Sequence, residues 1–215
     1  MKHSRFAPAY AAVFFLCGAL LIGLNLPRAD LPTQDMGLLW RDPWFLWGFV
    51  HFSLLLMPAA VLLVADGLRR HTRAWLLVFP YFALGMLALA PYLALRPVRA
   101  DDVVELPSWL DRALRSRWFW AVCAAASVVA ALVLLPQGSW AQLQETMRHG
   151  FGWWFMVVDI VLNQVFVLPL VQADMRLCGV GETQQRRWLW GVALSGPLGL
   201  NAYLARRRFE GGSAA

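Results

Sequence analysis

Six continuous apolar runs dominate the pattern of hydrophobic and polar positions along the chain. They cover residues 6–26, 44–65, 74–95, 118–135, 152–171 and 188–205. Each run approaches the length of about 20 residues that an α-helix needs to cross the hydrocarbon core of a bilayer. The apolar residues are continuous rather than alternating, which favours helices over the strands of a membrane barrel. The pattern predicts an all-α integral membrane bundle of six transmembrane helices.

The composition agrees with a membrane protein, because 60% of the 215 residues are hydrophobic and only 15% are charged. Soluble domains average about 25% charged residues. The net charge of +6 comes from arginines at the ends of apolar runs, which is typical of membrane anchors. No recognised nucleic-acid-binding motif is present, so we expect no nucleic-acid partner. The three cysteines are widely spaced and form no CxxC pair, which argues against a disulfide framework or a zinc site.

The two halves of the chain resemble each other. The segment GMLALAPYLALR at residues 85–96 matches GPLGLNAYLARR at residues 196–207 with an offset of 111, and Ala65-Asp66 matches Ala173-Asp174 with an offset of 108. The predicted organisation is a first three-helix repeat at 1–97, a polar linker with a short interfacial helix at 98–117, a second three-helix repeat at 118–208 and a disordered tail at 209–215.

Three spans per half imply an inverted repeat. If the linker does not cross, an odd number of spans makes the halves point in opposite directions, as in many secondary transporters. In this topology the basic residues are tied, with nine on the side of the N-terminus and ten on the other. Inverted copies with similar charge patterns would give such a tie, and the first half alone favours a cytoplasmic N-terminus. The first run is too long for a typical signal peptide and no A-x-A-like site follows it at residues 25–30, so we interpret it as an uncleaved span of a multi-pass inner-membrane protein.

Polar residues inside the fifth run are the main candidates for chemistry. Asp159 and Asn163 are four residues apart, so they share one helix face, and Gln164 flanks that face. Such groups are costly in a membrane and usually face the bundle interior or a cavity. At the offset of 108, Asp159 corresponds to His51, so we expect these two to pair near mid-membrane as a proton relay or ligand anchor. The alternative is that each residue only forms a hydrogen bond between helices.

Secondary candidates lie at the ends of runs or on the last one: Asp66, Asp174, Arg176, Asn201 and Tyr203, with Tyr81 lining the same interior. Local ion pairs would account for the two aspartates, with Arg69 or Arg70 for the first and Arg176 for the second. Interface anchoring is the alternative role for Tyr203. The other histidines are isolated and no cofactor-binding motif is present, so we expect neither a metal nor a cofactor.

The last 60 residues contain several short motifs whose order can be compared with that of known membrane proteins. An Asp in an aromatic-rich span is followed by Asp-x-Arg, a basic loop, a Trp-opened span and GPLGLxxYLxxR. The matching residues are Asp159, Asp174, Arg176, residues 196–200, Tyr203 and Arg207. In these residues the chain resembles the membrane-protein family of plants and bacteria that includes the plant factor for neoxanthin synthesis. The resemblance implies an isoprenoid or other lipophilic ligand handled inside the bilayer.

These residues favour a protein that binds or modifies a lipophilic small molecule within its helical bundle, among membrane lipids. A proton-coupled small-molecule transporter is the first alternative, supported by the inverted repeat and by prolines inside the spans. A structural or assembly protein without a ligand is the second. It would have a dry interior in which Asp159 bonds only to neighbouring helices.

Overall fold

The chain is helical throughout the part that the computed structural model describes, which is residues 7–25, 36–97, 106–149 and 151–207. The α-helices in these ranges are α1 (Ala7–Asn25), α2 (Met36–Leu39), α3 (Pro43–Arg69), α4 (Val78–Leu84), α5 (Met86–Leu95), α6 (Ser108–Arg115), α7 (Arg117–Leu134), α8 (Trp140–His149), α9 (Phe151–Leu177), α10 (Glu182–Ser195) and α11 (Pro197–Arg206). Short 3-10 turns precede α4 and follow α7. The prediction of an all-α protein is confirmed. The predicted tail at 209–215 lies outside the described residues.

Among the described residues, three helical segments are long and apolar enough to cross a membrane: Pro43–Arg69, Arg117–Gln137 and Met156–Leu177. The first of them begins at a well-defined cap. Pro43 occupies the first helical position, where its missing N–H costs nothing, and the Asp42 carboxylate accepts a hydrogen bond of 2.9 Å from the backbone N–H of Trp44. The chain thus has the helices of a membrane protein.

The long helices α3 and α9 pack against each other in parallel. Near their N-terminal ends, Gly48 lies against the side chain of Met156. Near their C-terminal ends, Arg69 Nη1 lies 3.4 Å from Asp174 Oδ1. Because both pairs of corresponding ends meet, the two helices run in the same direction. The predicted inverted repeat is therefore wrong, since an axis in the membrane plane would make these corresponding helices antiparallel.

The third apolar run does not cross the bundle but folds back on itself. α4 and α5 meet at Gly85, and this first hairpin (residues 74–97) begins just after α3 ends. Its last residues return to the same end, because Tyr92 Oη and Arg96 Nη1 lie 2.6 Å and 3.1 Å from Asp66 Oδ2, near the end of α3. The ten residues of α5 reach about 15 Å, half of the roughly 30 Å apolar core of a bilayer.

The sixth run forms a corresponding second hairpin (residues 182–207). α10 and α11 meet at Gly196, and Tyr203 and Arg207 return to Asp174, near the end of α9. We call the end of the bundle where both hairpins begin and end the base, and the turn inside each hairpin its tip. The prediction of six spanning helices is therefore not confirmed, because two of the six apolar runs form hairpins.

Glycine allows the chain to reverse at both tips. Gly85 has φ 53° and ψ −125°, and Gly196 has φ 54° and ψ −116°, a conformation that residues with a side chain rarely adopt. A Cβ at Gly85 would overlap the Asp159 carboxylate, and one at Gly196 would overlap the Gln164 amide. Gly85 and Gly196 therefore interrupt the helices of two apolar runs of spanning length. Because a glycine hardly changes the mean hydropathy of such a run, hydropathy does not reveal the interruption.

The remaining helices close the bundle around α3 and α9. α7 runs antiparallel to α3, because Trp44 Nε1, near the start of α3, donates a hydrogen bond of 2.9 Å to the Leu135 carbonyl just after α7. At the base, α6 supplies the helix predicted in the polar linker, and its Leu110 and Leu114 are fully buried. α1 packs along α5. The second helix of each hairpin thus packs against longer helices, whereas α4 and α10 each keep an exposed face.

Candidate functional site

A buried aspartate, Asp66, organises the base in the first half. Its carboxylate accepts hydrogen bonds from Arg70 Nε, at 2.9 Å to each oxygen, from Tyr92 Oη and from Arg96 Nη1. Arg70 also donates to the carbonyl of Pro97, which ties the end of the first hairpin to the end of α3. The predicted ion pair between Asp66 and Arg70 is therefore present.

Asp174 has the corresponding arrangement in the second half. Its carboxylate accepts hydrogen bonds of 2.6 Å from Tyr203 Oη and from both Nε and Nη2 of Arg207. Arg69 of α3 lies close to the same carboxylate. The predicted partner Arg176 is exposed instead. In both halves, an aspartate thus binds a tyrosine and the arginine four residues after that tyrosine.

The second base is the more deeply buried of the two. The Arg207 side chain is only 1% exposed. Burial disfavours its positive charge, but the attraction of Asp174 outweighs that effect, so the pKa of Arg207 is raised and the ion pair persists. The pKa of the neighbouring Cys178 thiol is also raised, because it is buried and faces the Asp174 charge. The thiol therefore stays protonated at neutral pH.

Asp159 faces the bundle interior, as predicted, and caps the first tip. It is 3% exposed, and its Oδ1 accepts hydrogen bonds from the backbone N–H of Met86 at 2.9 Å and from Asn163 Nδ2 at 3.0 Å. Met86 is the first residue of α5, so its N–H has no partner within that helix. The helix dipole also favours a negative group at this end. Asp159 therefore acts as an N-terminal cap that is supplied by another helix.

His51 and Gln164 meet at the second tip. Their Nε2 atoms are 3.1 Å apart, and both side chains lie against Gly196. Trp47 packs on the His51 ring, with ring centroids 5.0 Å apart. The predicted pair of His51 with Asp159 is not formed. These two side chains lie at different hairpin tips instead, with His51 against Gly196 and Asp159 bonded to Met86.

Three polar atoms in the described part of the interior have no hydrogen-bond partner: Tyr81 Oη, Asn163 Oδ1 and Asn201 Oδ1. All three residues are fully buried. Asn163 is bonded to Asp159 through its amide nitrogen, and Tyr81 lies within electrostatic range of the same carboxylate. Buried hydroxyl and amide groups normally have partners. Tyr81 and Asn163 therefore keep hydrogen-bonding capacity that the described part of the protein does not use.

The four main candidates thus lie at two tips rather than in one cluster. The arginines Arg96 and Arg207 do not belong to the predicted site, yet they bind the two base aspartates. A signal for them is present in the sequence, because they are the last matching residues of the two similar segments. Within the described ranges, no three His, Cys, Asp or Glu side chains are grouped as a metal site requires.

Comparison of the chain with models of protein families, with curated proteins and with solved structures finds no match. The resemblance in the C-terminal third therefore stays a prediction. Function has to be inferred from the arrangement of the buried polar groups.

Proposed function

We propose that the protein binds a lipophilic small molecule inside its helical bundle, with a hydrogen-bonding group of that molecule beside Asp159. The observation that carries this proposal is the pair of unpaired atoms, Tyr81 Oη and Asn163 Oδ1, near that carboxylate. A buried polar atom without a partner costs about 1–3 kcal/mol. A ligand hydroxyl would remove this cost at both atoms, because it can accept a hydrogen bond from Tyr81 and donate one to Asn163.

The surroundings of these two residues favour a lipophilic body for the ligand. The core around the hairpins consists of aliphatic and aromatic side chains, among them Leu55, Leu89, Phe166 and Val167. Binding sites for small molecules are typically apolar, with a few polar groups that fix orientation. An isoprenoid, as implied by the resemblance of the C-terminal third to the neoxanthin-factor family, has this chemistry.

The substitution Tyr81→Phe separates binding from folding. Because the hydroxyl has no partner in the protein, its removal should leave the thermal unfolding temperature unchanged or raise it. Mass spectrometry of organic extracts should show that a molecule retained by the wild-type protein is lost from the variant. Tyr10→Phe is the matched control, because it removes the hydroxyl of a tyrosine packed on Phe166 and should keep the molecule. Identical extracts from the wild type and Tyr81→Phe would contradict the proposal.

A proton-coupled transporter is the second candidate, and the two interrupted hairpin helices favour it. Secondary transporters often place their substrate sites where discontinuous helices break near the midplane. Parallel repeats also occur in transporters, so the corrected orientation of the halves does not exclude transport. In a variant without the native cysteines, a Met86→Cys thiol would react with membrane-impermeant reagents from either side if access alternates. A binding protein predicts reaction from one side at most.

A structural protein without a ligand is the third candidate. It is favoured by the hydrogen bonds of Asp159, which go to Met86 and Asn163 of the protein itself. Extracts that contain only bulk lipids, for the wild type and every variant, would favour this role over ligand binding.

We further infer that α1, α3, α7 and α9 cross the membrane, and that both hairpins enter it from the base. α1 has 19 residues and no charged side chain. Twelve described arginines adjoin the base: Arg69, Arg70, Arg73, Arg96, Arg112, Arg115, Arg117, Arg176, Arg186, Arg187, Arg206 and Arg207. Only Arg41 and Arg148 adjoin the opposite end of the described helices. The positive-inside rule therefore supports a cytoplasmic base and a cytoplasmic N-terminus.

Reporter fusions test this topology. A fluorescent protein fused to the C-terminus should fluoresce in the cytoplasm, and alkaline phosphatase at the same position should be inactive. Phosphatase inserted between α7 and α8 should be active. An active phosphatase at the C-terminus would contradict the four-span arrangement.

A further inference from the structure

The base of the second half contains a cavity of about 630 Å³. It lies where the turn after α9, the start of α7 and the end of α11 meet. Its volume is within the range of about 300–1,000 Å³ that is typical of small-molecule pockets. Asp174, behind this cavity, follows Asp159 by 15 residues on α9, which is about 22 Å along the helix. The cavity is therefore separate from the interior site beside Asp159.

The lining of the cavity is positively charged. Arg117, Arg206 and Arg207 line it, and its lining includes no carboxylate. Arg117 and Arg206 are exposed and have no acidic partner in the described part of the chain. Asp174 binds Arg207 behind the cavity, and Arg69 lies 3.4 Å from the same carboxylate. A ligand in the cavity would therefore meet uncompensated positive charge.

The start of α10 adds to this potential. Gly181 precedes the first residue of α10 and has no side chain that caps the helix. Backbone N–H groups at such a helix end favour anions. Gly181 and Gln184 both line the cavity, whereas Glu182, the acid of that first turn, does not. The positive end of the α10 dipole thus opens at the same cavity as the three arginines.

Apolar side chains lie in the same cavity as the arginines. Val180 and Trp188 both line it. Trp188 packs edge-on against Tyr203, with ring centroids 5.7 Å apart. Tryptophan is enriched at membrane–water interfaces, where the polar heads of lipids lie. The cavity therefore combines cationic and apolar groups, which is the chemistry of a site for an amphiphile.

We propose that this cavity binds the phosphate group of an anionic amphiphile, such as the head group of a membrane lipid. Guanidinium groups bind phosphate oxygens through paired, charge-assisted hydrogen bonds. Basic pockets between membrane helices on the cytoplasmic side bind anionic head groups. The proposal does not depend on the molecule beside Asp159. The same chemistry suits free inorganic phosphate, so the experiment has to separate the two sources.

The test uses the full-length protein in nanodiscs of phosphatidylcholine, with and without phosphatidylglycerol. The wild type should unfold at a higher temperature with phosphatidylglycerol and should retain this lipid in native mass spectrometry. In the double variant Arg117→Gln/Arg206→Gln, retention should fall about tenfold or more, because each substitution removes a charge-assisted contact. Both arginines are exposed, so the variant is expected to fold.

The matched control is Arg186→Gln/Arg187→Gln, which removes the same charge from positions on α10 that do not line the cavity. It should retain phosphatidylglycerol. If millimolar inorganic phosphate stabilises the protein equally in phosphatidylcholine alone, and only Arg117→Gln/Arg206→Gln loses this effect, the site is supported and free phosphate is the source. The proposal would be overturned if the wild type behaves equally in both lipids and inorganic phosphate does not stabilise it, or if both double variants lose the effect equally.

Discussion

The bases of the two hairpins share one arrangement but differ at one neighbouring position. Four residues after its aspartate, the first half has Arg70 and the second half has Cys178. Arg70 fills the first base, where it binds Asp66 and the carbonyl of Pro97. In the second base, Cys178 is part of the wall of the arginine-lined cavity. Corresponding positions thus hold a long charged side chain that binds the aspartate in one half and a small thiol in the wall of a cavity in the other.

The tips differ in charge as well. The first tip is capped by the carboxylate of Asp159, whereas the second lies against the neutral Gln164 amide and His51 ring. Asp159 belongs to the second half and supports the first hairpin, while His51 belongs to the first half and contacts the second hairpin. Each half therefore contacts the tip of the other's hairpin, and the second half also contacts its own tip through Gln164. The two hairpins depend on the packing of α3 against α9.

Removal of the base carboxylates should have the largest effect on stability. Asp174→Ala leaves the nearly inaccessible Arg207 without its main partner, and breaking a buried ion pair costs about 3–5 kcal/mol. Asp66→Ala should cost less, because the Arg70 and Arg96 side chains are 7% and 14% exposed and can turn toward water. Thermal unfolding in one detergent should rank the wild type first, Asp66→Ala second and Asp174→Ala last. The reverse order of the two variants would contradict the deeper burial of the second base.

Alanine at the tips should have the next largest effect. Gly85→Ala combines backbone strain with overlap of the Asp159 carboxylate, for an expected cost of about 3 kcal/mol. Gly196→Ala carries the same strain but meets the end of the Gln164 side chain, so about 2 kcal/mol is expected. Gly191→Ala is the control, because its Cβ enters open space within α10, and it should be neutral or slightly stabilising. If Gly191→Ala also lowers the thermal unfolding temperature, the losses at Gly85 and Gly196 could not be assigned to the hairpin tips.

Three tyrosine-to-phenylalanine substitutions compare the bases with the interior. Tyr92→Phe and Tyr203→Phe should each cost about 1.5–3 kcal/mol, because each hydroxyl donates a hydrogen bond of 2.6 Å to a carboxylate. Tyr81→Phe removes an unpaired hydroxyl and should cost nothing. Thermal unfolding of the three variants measures the difference directly. A cost for Tyr81→Phe equal to the others would mean that its hydroxyl has a partner, against the proposed interior site.

Cys178→Arg should cost about 1 kcal/mol, because the new side chain can extend into an existing cavity but adds a positive charge near Arg69 and Arg207. It tests the comparison most directly, since it gives the second base the arginine of the first. We expect retention of phosphatidylglycerol to be lost, while Cys178→Ser keeps it. The reverse change, Arg70→Cys, should lower the unfolding temperature, because it removes a buried partner of Asp66. Stronger retention by Cys178→Arg would contradict the view that arginine closes this base.

Local features of the sequence are sufficient to predict the helices and the inward position of the acid. Apolar runs of about 20 residues and an isolated carboxylate within one of them are strong signals in a membrane protein. Asp159 faces inward because a carboxylate that faces the acyl chains would be energetically costly. The matching segments at 85–96 and 196–207 likewise contain the tyrosine and arginine that occupy corresponding places at the two bases.

The hairpins do not follow from hydropathy, because residues 74–95 are as apolar as a spanning helix. Their reversal depends on the backbone angles of one glycine each, and a glycine within an apolar run is compatible with either outcome. Under a six-span topology the basic residues are divided almost equally between the two sides of the membrane. This near-equal division is the feature of the sequence that argues against six spans, because on the four-span topology most of the described arginines lie on one side. The expected pair of His51 and Asp159 fails for the same reason, because each of these side chains contacts a hairpin tip instead.

On the proposed topology, each half crosses the bilayer twice, so the chain leaves a half on the side where it entered. A tandem copy of such a unit inserts in the same direction as the original, with no extra crossing and no change in its charge bias. Gene fusion can therefore join two units that already associate side by side as separate chains. A unit with an odd number of crossings would first have to insert in both directions.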